Sequence, residues 1–241
     1  MPTLADTTWT EIAEVRDAVK ALDDAPTVQA AAQRFTRLLV ETYPTVVLAR
    51  LFLVLPASAL PAAEQEVARG LVGDSGVLKP KTRVLSLLGT AGRHPDWNDR
   101  ARSHGHLAIP LIDRSFVRGA PMIAKLLADL EVDLAGLDSG LPIATRRMVG
   151  GSNGTFYVPD AITAIDDRGR YIIPARDFVT RHGVRTVFGM GGAYLDGTLA
   201  VAIVFTSELL DRVMVGRFPS FIANFKMATA RAQAADALYA A

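Results

Sequence analysis

Val184-Arg185-Thr186-Val187-Phe188-Gly189-Met190-Gly191-Gly192-Ala193-Tyr194-Leu195, then Asp196-Gly197, then Thr198-Leu199-Ala200-Val201-Ala202-Ile203-Val204-Phe205, is the stretch whose reading decides the fold. Two strand-like runs flank a dipeptide suited to a type I′ turn, so the segment reads as an antiparallel hairpin. The glycines at 189, 191 and 192 lie inside a strand-like run, not between a strand and a helix, which makes a phosphate cradle a weak reading. A bulge, or close approach of a ligand or helix to the backbone, fits them better.

Beyond the hairpin, Ser207-Glu208 introduces a long helix through Leu209, Val213, Phe218, Phe221 and Phe225, with a kink expected near Pro219. Upstream, Gly183 suits the C-terminal cap of a helix over 175–182, and 155–158 and 171–173 read as short strands. Pro121 suits the first turn of a helix that buries Met122, Ile123, Leu126, Leu127 and Leu130. Residues 136–154 are rich in small and turn-forming types and read as a loop or mobile cover.

Residues 82–88 and 106–111 read as strands separated by a polar, irregular stretch, and the aliphatic run 45–55 reads as a central strand. A short helix is expected over 61–71. Near the start, Thr8-Trp9-Thr10-Glu11 fits a capping box, and Trp9, Ile12, Val15, Val19 and Leu22 recur at helical spacing. Thr27 can cap a second helix that ends at Pro44. No internal repeat is evident. The order of elements predicts an α+β sandwich: a central antiparallel sheet with N- and C-terminal helices grouped on one face. The whole is expected to be a single domain over 1–241, with helices in 1–43, the sheet in 45–206 and the closing helix in 207–241.

Composition narrows the chemistry. The 241 residues are 50% hydrophobic and 21% charged, and 26 Lys plus Arg against 25 Asp plus Glu leave a net charge of +1. Such a chain can bury a core, and it lacks the basic excess that draws nucleic acid. With no cysteine, disulfides, thiolate metal sites and cysteine nucleophiles are excluded. The N-terminal residues lack the basic start and apolar run of a secretory signal, and the longest apolar runs, 46–55 and 199–205, are interrupted or too short to span a bilayer. A cytoplasmic location away from membranes is expected.

Several segments together resemble a GAF-like sensory domain of the type found ahead of bacterial histidine kinases and regulatory phosphatases. They are Leu85-Ser86-Leu87-Leu88-Gly89-Thr90, Pro95-Asp96-Trp97-Asn98-Asp99-Arg100, Gly105-His106-Leu107-Ala108-Ile109-Pro110-Leu111, Pro121-Met122-Ile123-Ala124 and Val187-Phe188-Gly189-Met190-Gly191-Gly192. The resemblance covers most of the chain and implies a sheet of about six strands, a ligand pocket on one face and a homodimer formed through the first and last helices. It implies a role in signal transduction, with the signal passing through the oligomer or to a separate partner protein, because the closing helix runs to Ala241. Relatives of this kind that reduce methionine sulfoxide or attach bilins do so through cysteines, which composition removes here. The Asn-Lys-Phe-Asp-Glu pattern of the nucleotide-binding members has no match.

The candidate ligand-binding residues are Trp97, Asn98, Asp99, Arg100, His104, His106, Arg147 and Met190. Trp97 to Arg100 gather an aromatic face, an amide, a carboxylate and a guanidinium in one loop, a set able to orient a polar ligand against an apolar wall. The competing reading has Asp99 and Arg100 paired with each other or with neighbouring backbone, and Trp97 plugging the core. His104 and His106 share a face if extended, and with His94 could form a metal or haem site, although ordinary polar roles are commoner for such pairs. Arg147, beside Arg146, could reach an anion, against a commoner role as a solvated surface pair. The cofactor and the ligand are not identified by the sequence.

Two further functions compete with a non-catalytic sensor whose pocket lies between the Trp97 loop and residues 150–154. One is an enzyme acting on a small polar substrate, with Asp99 and a histidine as acid and base and Arg100 holding an anion. It requires His104 or His106 within hydrogen-bond reach of Asp99 inside an enclosed cavity. The other is a scaffold with a vestigial pocket, recognisable by bulky side chains filling the space beneath Trp97.

Overall fold

The computed structural model describes residues 2–73, 76–103, 105–132 and 154–240. Thr8 caps helix α1 (Trp9–Lys20) with a reciprocal Thr8/Glu11 box, and Thr27 caps α2 (Val28–Thr42) by accepting from the Ala30 amide. Chain order then runs β1 (Val46–Pro56), α3 (Ala62–Val72), β2 (Arg83–Gly92), β3 (Ala108–Leu111), α4 (Arg114–Gly119) and α5 (Pro121–Asp129). It continues with β4 (Gly154–Val158), α6 (Arg176–Arg181), β5 (Thr186–Ala193), β6 (Leu199–Thr206), α7 (Arg212–Val215) and α8 (Pro219–Ala234). The expected kink is a break: Pro219 opens α8 at its first turn, where its missing amide leaves no partner unsatisfied.

The strands form one antiparallel sheet in the order β3-β2-β1-β6-β5-β4, so β1 is flanked on both sides. Period-2 alternation separates two cores. Ala49, Leu51 and Leu53 of β1, with Phe188, Met190 and Val204, face α1, α2 and α8. Leu48, Phe52 and Val54, with Val187, Ile203 and Phe205, face the opposite layer, which includes α5 and residues 172–179. The α+β sandwich and the grouping of terminal helices on one face are therefore as expected. Helix α2 lies very close to β2: a Cβ at Gly89 would sit 2.3 Å from the Ala32 carbonyl oxygen.

Both margins of the sheet are modified. Pro110 interrupts the four-residue β3, and on β4 the Tyr157 amide donates to Asp129 Oδ2 at 3.1 Å. Among the described residues, no helix is long and apolar enough to cross a membrane.

Four local expectations differ from the structure. The 184–205 hairpin forms, but its turn is a three-residue loop, Leu195-Asp196-Gly197, closed by Tyr194 N–H to the Thr198 carbonyl at 2.8 Å. Only Gly197 takes a positive φ there, +85°, whereas a type I′ turn needs two such residues. Residues 171–173 are not a strand; Tyr171 makes one isolated bridge to Ile165 across a turn whose amides donate to Asp166. Trp9 does not join the buried stripe of α1 but lies 67% exposed beneath the Arg217 guanidinium. Strand β2 runs on to Gly92, so the irregular stretch begins later than expected.

Candidate functional site

On the sheet face away from the terminal helices, a cavity of about 400 Å³ opens beside the centre of β1. Its floor is Leu48, Arg50 and Phe205 from β1 and β6, and one wall is Ile109 and Pro110 of β3. Met122 and Ile123 of α5 form the second wall; Ile173, Pro174 and Phe178 form the third. Trp97 stands at the rim. A smaller void of about 50 Å³ shares Arg50, His106, Met122 and Phe205 and reaches Phe52, Leu85 and Ile203. The size falls within the range of small-molecule sites, and the lining is predominantly apolar.

Trp97 is fixed by the end of β2. Asn98 Oδ1 accepts from the Gly92 amide at 3.0 Å and Asn98 Nδ2 donates to the Gly92 carbonyl at 3.2 Å, so its amide pairs with the strand like another residue of the ladder. Thr90 Oγ1 donates to the Trp97 carbonyl at 2.9 Å. The indole packs edge-on to Phe178 and His182, with ring centroids 5.4 and 4.7 Å away, and Phe178 continues the aromatic row to Phe205 at 5.5 Å. Burial holds the His182 ring below the ordinary histidine value, with the nearby Arg181 charge adding to the effect.

Arg50 is the chemical anomaly of this wall. It projects from the central strand into an apolar layer, and its Nε is buried without a hydrogen-bond partner. Among the described residues the guanidinium has no ion-pair partner, and no Asp or Glu lines the cavity. Burial lowers its pKa to about 10, still far above neutrality, so the side chain remains a cation.

The sequence-expected residues divide. Trp97 and His106 line the cavity. Asn98 braces Trp97, and Asp99 is exposed, accepting from the Ala101 amide at 2.9 Å as a helix cap. Arg100 turns to the other side: it donates to the Leu87 carbonyl at 2.7 Å, pairs with the buried Glu64 and lies over the Tyr239 ring. Met190 packs in the core under the terminal helices, because Val187 fixes the register that sends 188 and 190 to that face. None of Asn98, Asp99, Arg100 and Met190 lines the cavity. His104, Arg147 and residues 150–153 lie outside the described residues.

An acid-base pair of Asp99 and His106 does not form, since Asp99 neither lines the cavity nor bonds to that ring. Among the described residues no three metal-ligating side chains converge. The space beneath Trp97 is open, unlike that of a filled scaffold. Arg50, absent from the candidate residues above, carries a sequence signal of its own: it is the single charge in the otherwise apolar run 46–55.

No family model matches the sequence, and no curated protein matches it. Solved structures do resemble the fold. Free methionine-R-sulfoxide reductase from Neisseria meningitidis, in complex with its substrate, aligns over 98% of this chain and 98% of its own, at 12% identity and a TM-score of 0.51. The GAF domain of an Acinetobacter phosphoenolpyruvate-protein phosphotransferase aligns over 95% and 97%, at 11% identity and a TM-score of 0.47. A phycoerythrobilin-bound GAF domain from a cyanobacterial phytochrome aligns over 93% and 97%, with the same identity and score. These identities speak to architecture alone. A six-stranded antiparallel sheet with terminal helices on one face and an open cavity on the other makes this chain GAF-like in fold.

Proposed function

We propose that the chain is a non-catalytic regulatory domain that binds a small molecule in the cavity beside Arg50. The observation that carries this reading is the cavity itself: apolar walls, an aromatic rim at Trp97 and, on a central strand, one half-buried cation whose Nε has no hydrogen-bond partner. A chain selected only for stability would fill such a space or remove the charge, because voids and unpaired buried cations both cost stability. The reading extends to the cytoplasm, to residues 1–241 acting as one unit, and to signal output through a second copy or a separate protein.

The terminal helices carry the output in this proposal. Trp9, Leu209, Val213 and Met227, which lie on or beside them, are large apolar residues left exposed at 67, 57, 74 and 70%. The stripe of α1, by contrast, is spent inside the fold: Val15 and Val19 are buried in the helix-side core.

A thermal-shift screen tests the binding claim. A ligand that binds only the native state adds about 2.7 kcal/mol of stability at a hundredfold excess over its Kd. Stabilisation by at least one compound class, lost when Ile109→Trp blocks the cavity, is expected. An unchanged melting temperature across organic acids, amines, nucleotides and neutral aromatics would sink the proposal. Light scattering at increasing concentration checks self-association, and a strict monomer leaves output to a separate protein.

A further inference from the structure

We infer that the cavity selects a small organic monocarboxylate with an apolar body, gripped at its charged end by the guanidinium of Arg50; this rests on the reading of the cavity as a ligand site. Arg50 lies midway along β1, whose backbone is hydrogen-bonded to β2 on one side and β6 on the other. The cation is thus carried on an interior strand of the sheet, paired along both sides. Its side chain borders both the main cavity and the deeper void, with Phe205 and Ile109 beside it.

The guanidinium presents parallel N–H donors that match the two oxygens of a carboxylate. Burial has already removed water from Nε, and among the described residues no lining Asp or Glu replaces it. An anion supplies the missing partner, and in an apolar surrounding that pairing is stronger than at the surface. A neutral amide or alcohol would satisfy donors but leave the charge uncompensated.

Charge balance separates carboxylates from phosphates. A phosphate ester carries a charge of about −1.5 to −2 near neutrality and seeks several donors. Among the described residues the wall offers one unpartnered cation, and Ile109, Pro110, Ile173 and Phe178 offer no side-chain donor. A monocarboxylate leaves no surplus charge, and its hydrocarbon part meets the apolar walls.

The test uses the full chain with Trp9→Phe, which leaves Trp97 at the rim as the remaining indole, since the sequence has two Trp residues. Phenylalkanoates from phenylacetate to 5-phenylpentanoate are titrated beside their amides, with phenyl phosphate and neutral 2-naphthol as references, by calorimetry and Trp97 fluorescence. The best acid is expected to bind at least about tenfold tighter than its amide. Arg50→Met should abolish that preference while retaining 2-naphthol binding, and a preserved far-UV spectrum and melt confirm that it folds. Arg50→Lys, a second variant that keeps the charge, should weaken the preference several-fold through loss of the paired donors.

Equal binding of acid and amide, tighter binding of phenyl phosphate, or a preference that survives Arg50→Met overturns the carboxylate assignment while leaving a ligand cavity standing. Absence of binding by every probe, 2-naphthol included, overturns both.

Discussion

The hydroxyl of Tyr239 lies 2.9 Å from Oγ of Ser86, a residue 153 positions earlier in the middle of β2. Ser86 Oγ also donates to Glu64 Oε2 at 2.9 Å, and Glu64 pairs with Arg100. This network fastens the closing segment, α3 and the Trp97 loop to one strand. Burial and the Glu64 charge both push the Tyr239 phenol upward, so it remains protonated and able to donate. Removing one partner of a buried charge pair strands the other, so Glu64→Ala should lose about 3 to 5 kcal/mol in urea denaturation. Tyr239→Phe, which deletes only one hydroxyl, should lose about 1 kcal/mol.

Gly89→Ala should be among the costliest methyl additions in the chain. The new Cβ would meet backbone atoms of Ala32, 2.3 Å away, and helix backbone cannot rotate aside as a side chain can. A loss of about 3 kcal/mol in denaturant midpoint analysis is expected. By comparison, Gly105→Ala meets no neighbouring atom within 4 Å, although φ of +75° adds backbone strain there.

His182 gives the site a pH signature. Its folded value is lowered, chiefly by burial and then by the charge of Arg181, so between the unfolded value near 6.5 and the folded one the unfolded chain binds more protons. His182 therefore favours folding above that window, and this contribution diminishes as pH falls through it. An NMR titration should place the His182 midpoint below 6.5, and Trp97→Ala, which admits water to the ring, should raise it.

Filling the cavity should separate binding from folding. Ile109→Trp adds volume at the wall shared by both voids. The melting temperature should hold or rise, since space is available, while 2-naphthol binding falls by at least about tenfold. Undiminished binding would place the ligand elsewhere.

What the sequence reveals about this fold is mostly local. The Thr8 box, the Thr27 cap and the Pro121 start are contacts within four residues, and they appear in the structure at the expected places. Gly183 takes the positive φ of +62° that a helix-closing glycine suits. The 184–205 hairpin is legible because apolar runs and turn residues adjoin, yet its loop type depends on φ at two positions, which the dipeptide alone does not dictate.

The site was less legible because its members meet across long separations. Arg100 resembles a ligand-binding residue until Glu64, 36 positions away, is placed against it. Trp97 was recognisable as a large aromatic in a loop, but its role at the rim depends on Asn98 bonding to Gly92. Period-2 alternation could have assigned Met190 to the helix face once one neighbour was fixed. A lone arginine in an aliphatic central strand is the clearest clue to the cavity in the sequence, since burying a cation is costly enough to require compensation.

Antiparallel sheets with bare margins invite neighbouring chains to continue the ladder. Here Pro110 contributes no amide on one border, while on the opposite border Asp129 has already claimed the Tyr157 N–H. A seventh strand from another molecule would find a missing donor at one border and a competitor at the other. Fibril-like stacking is thereby discouraged.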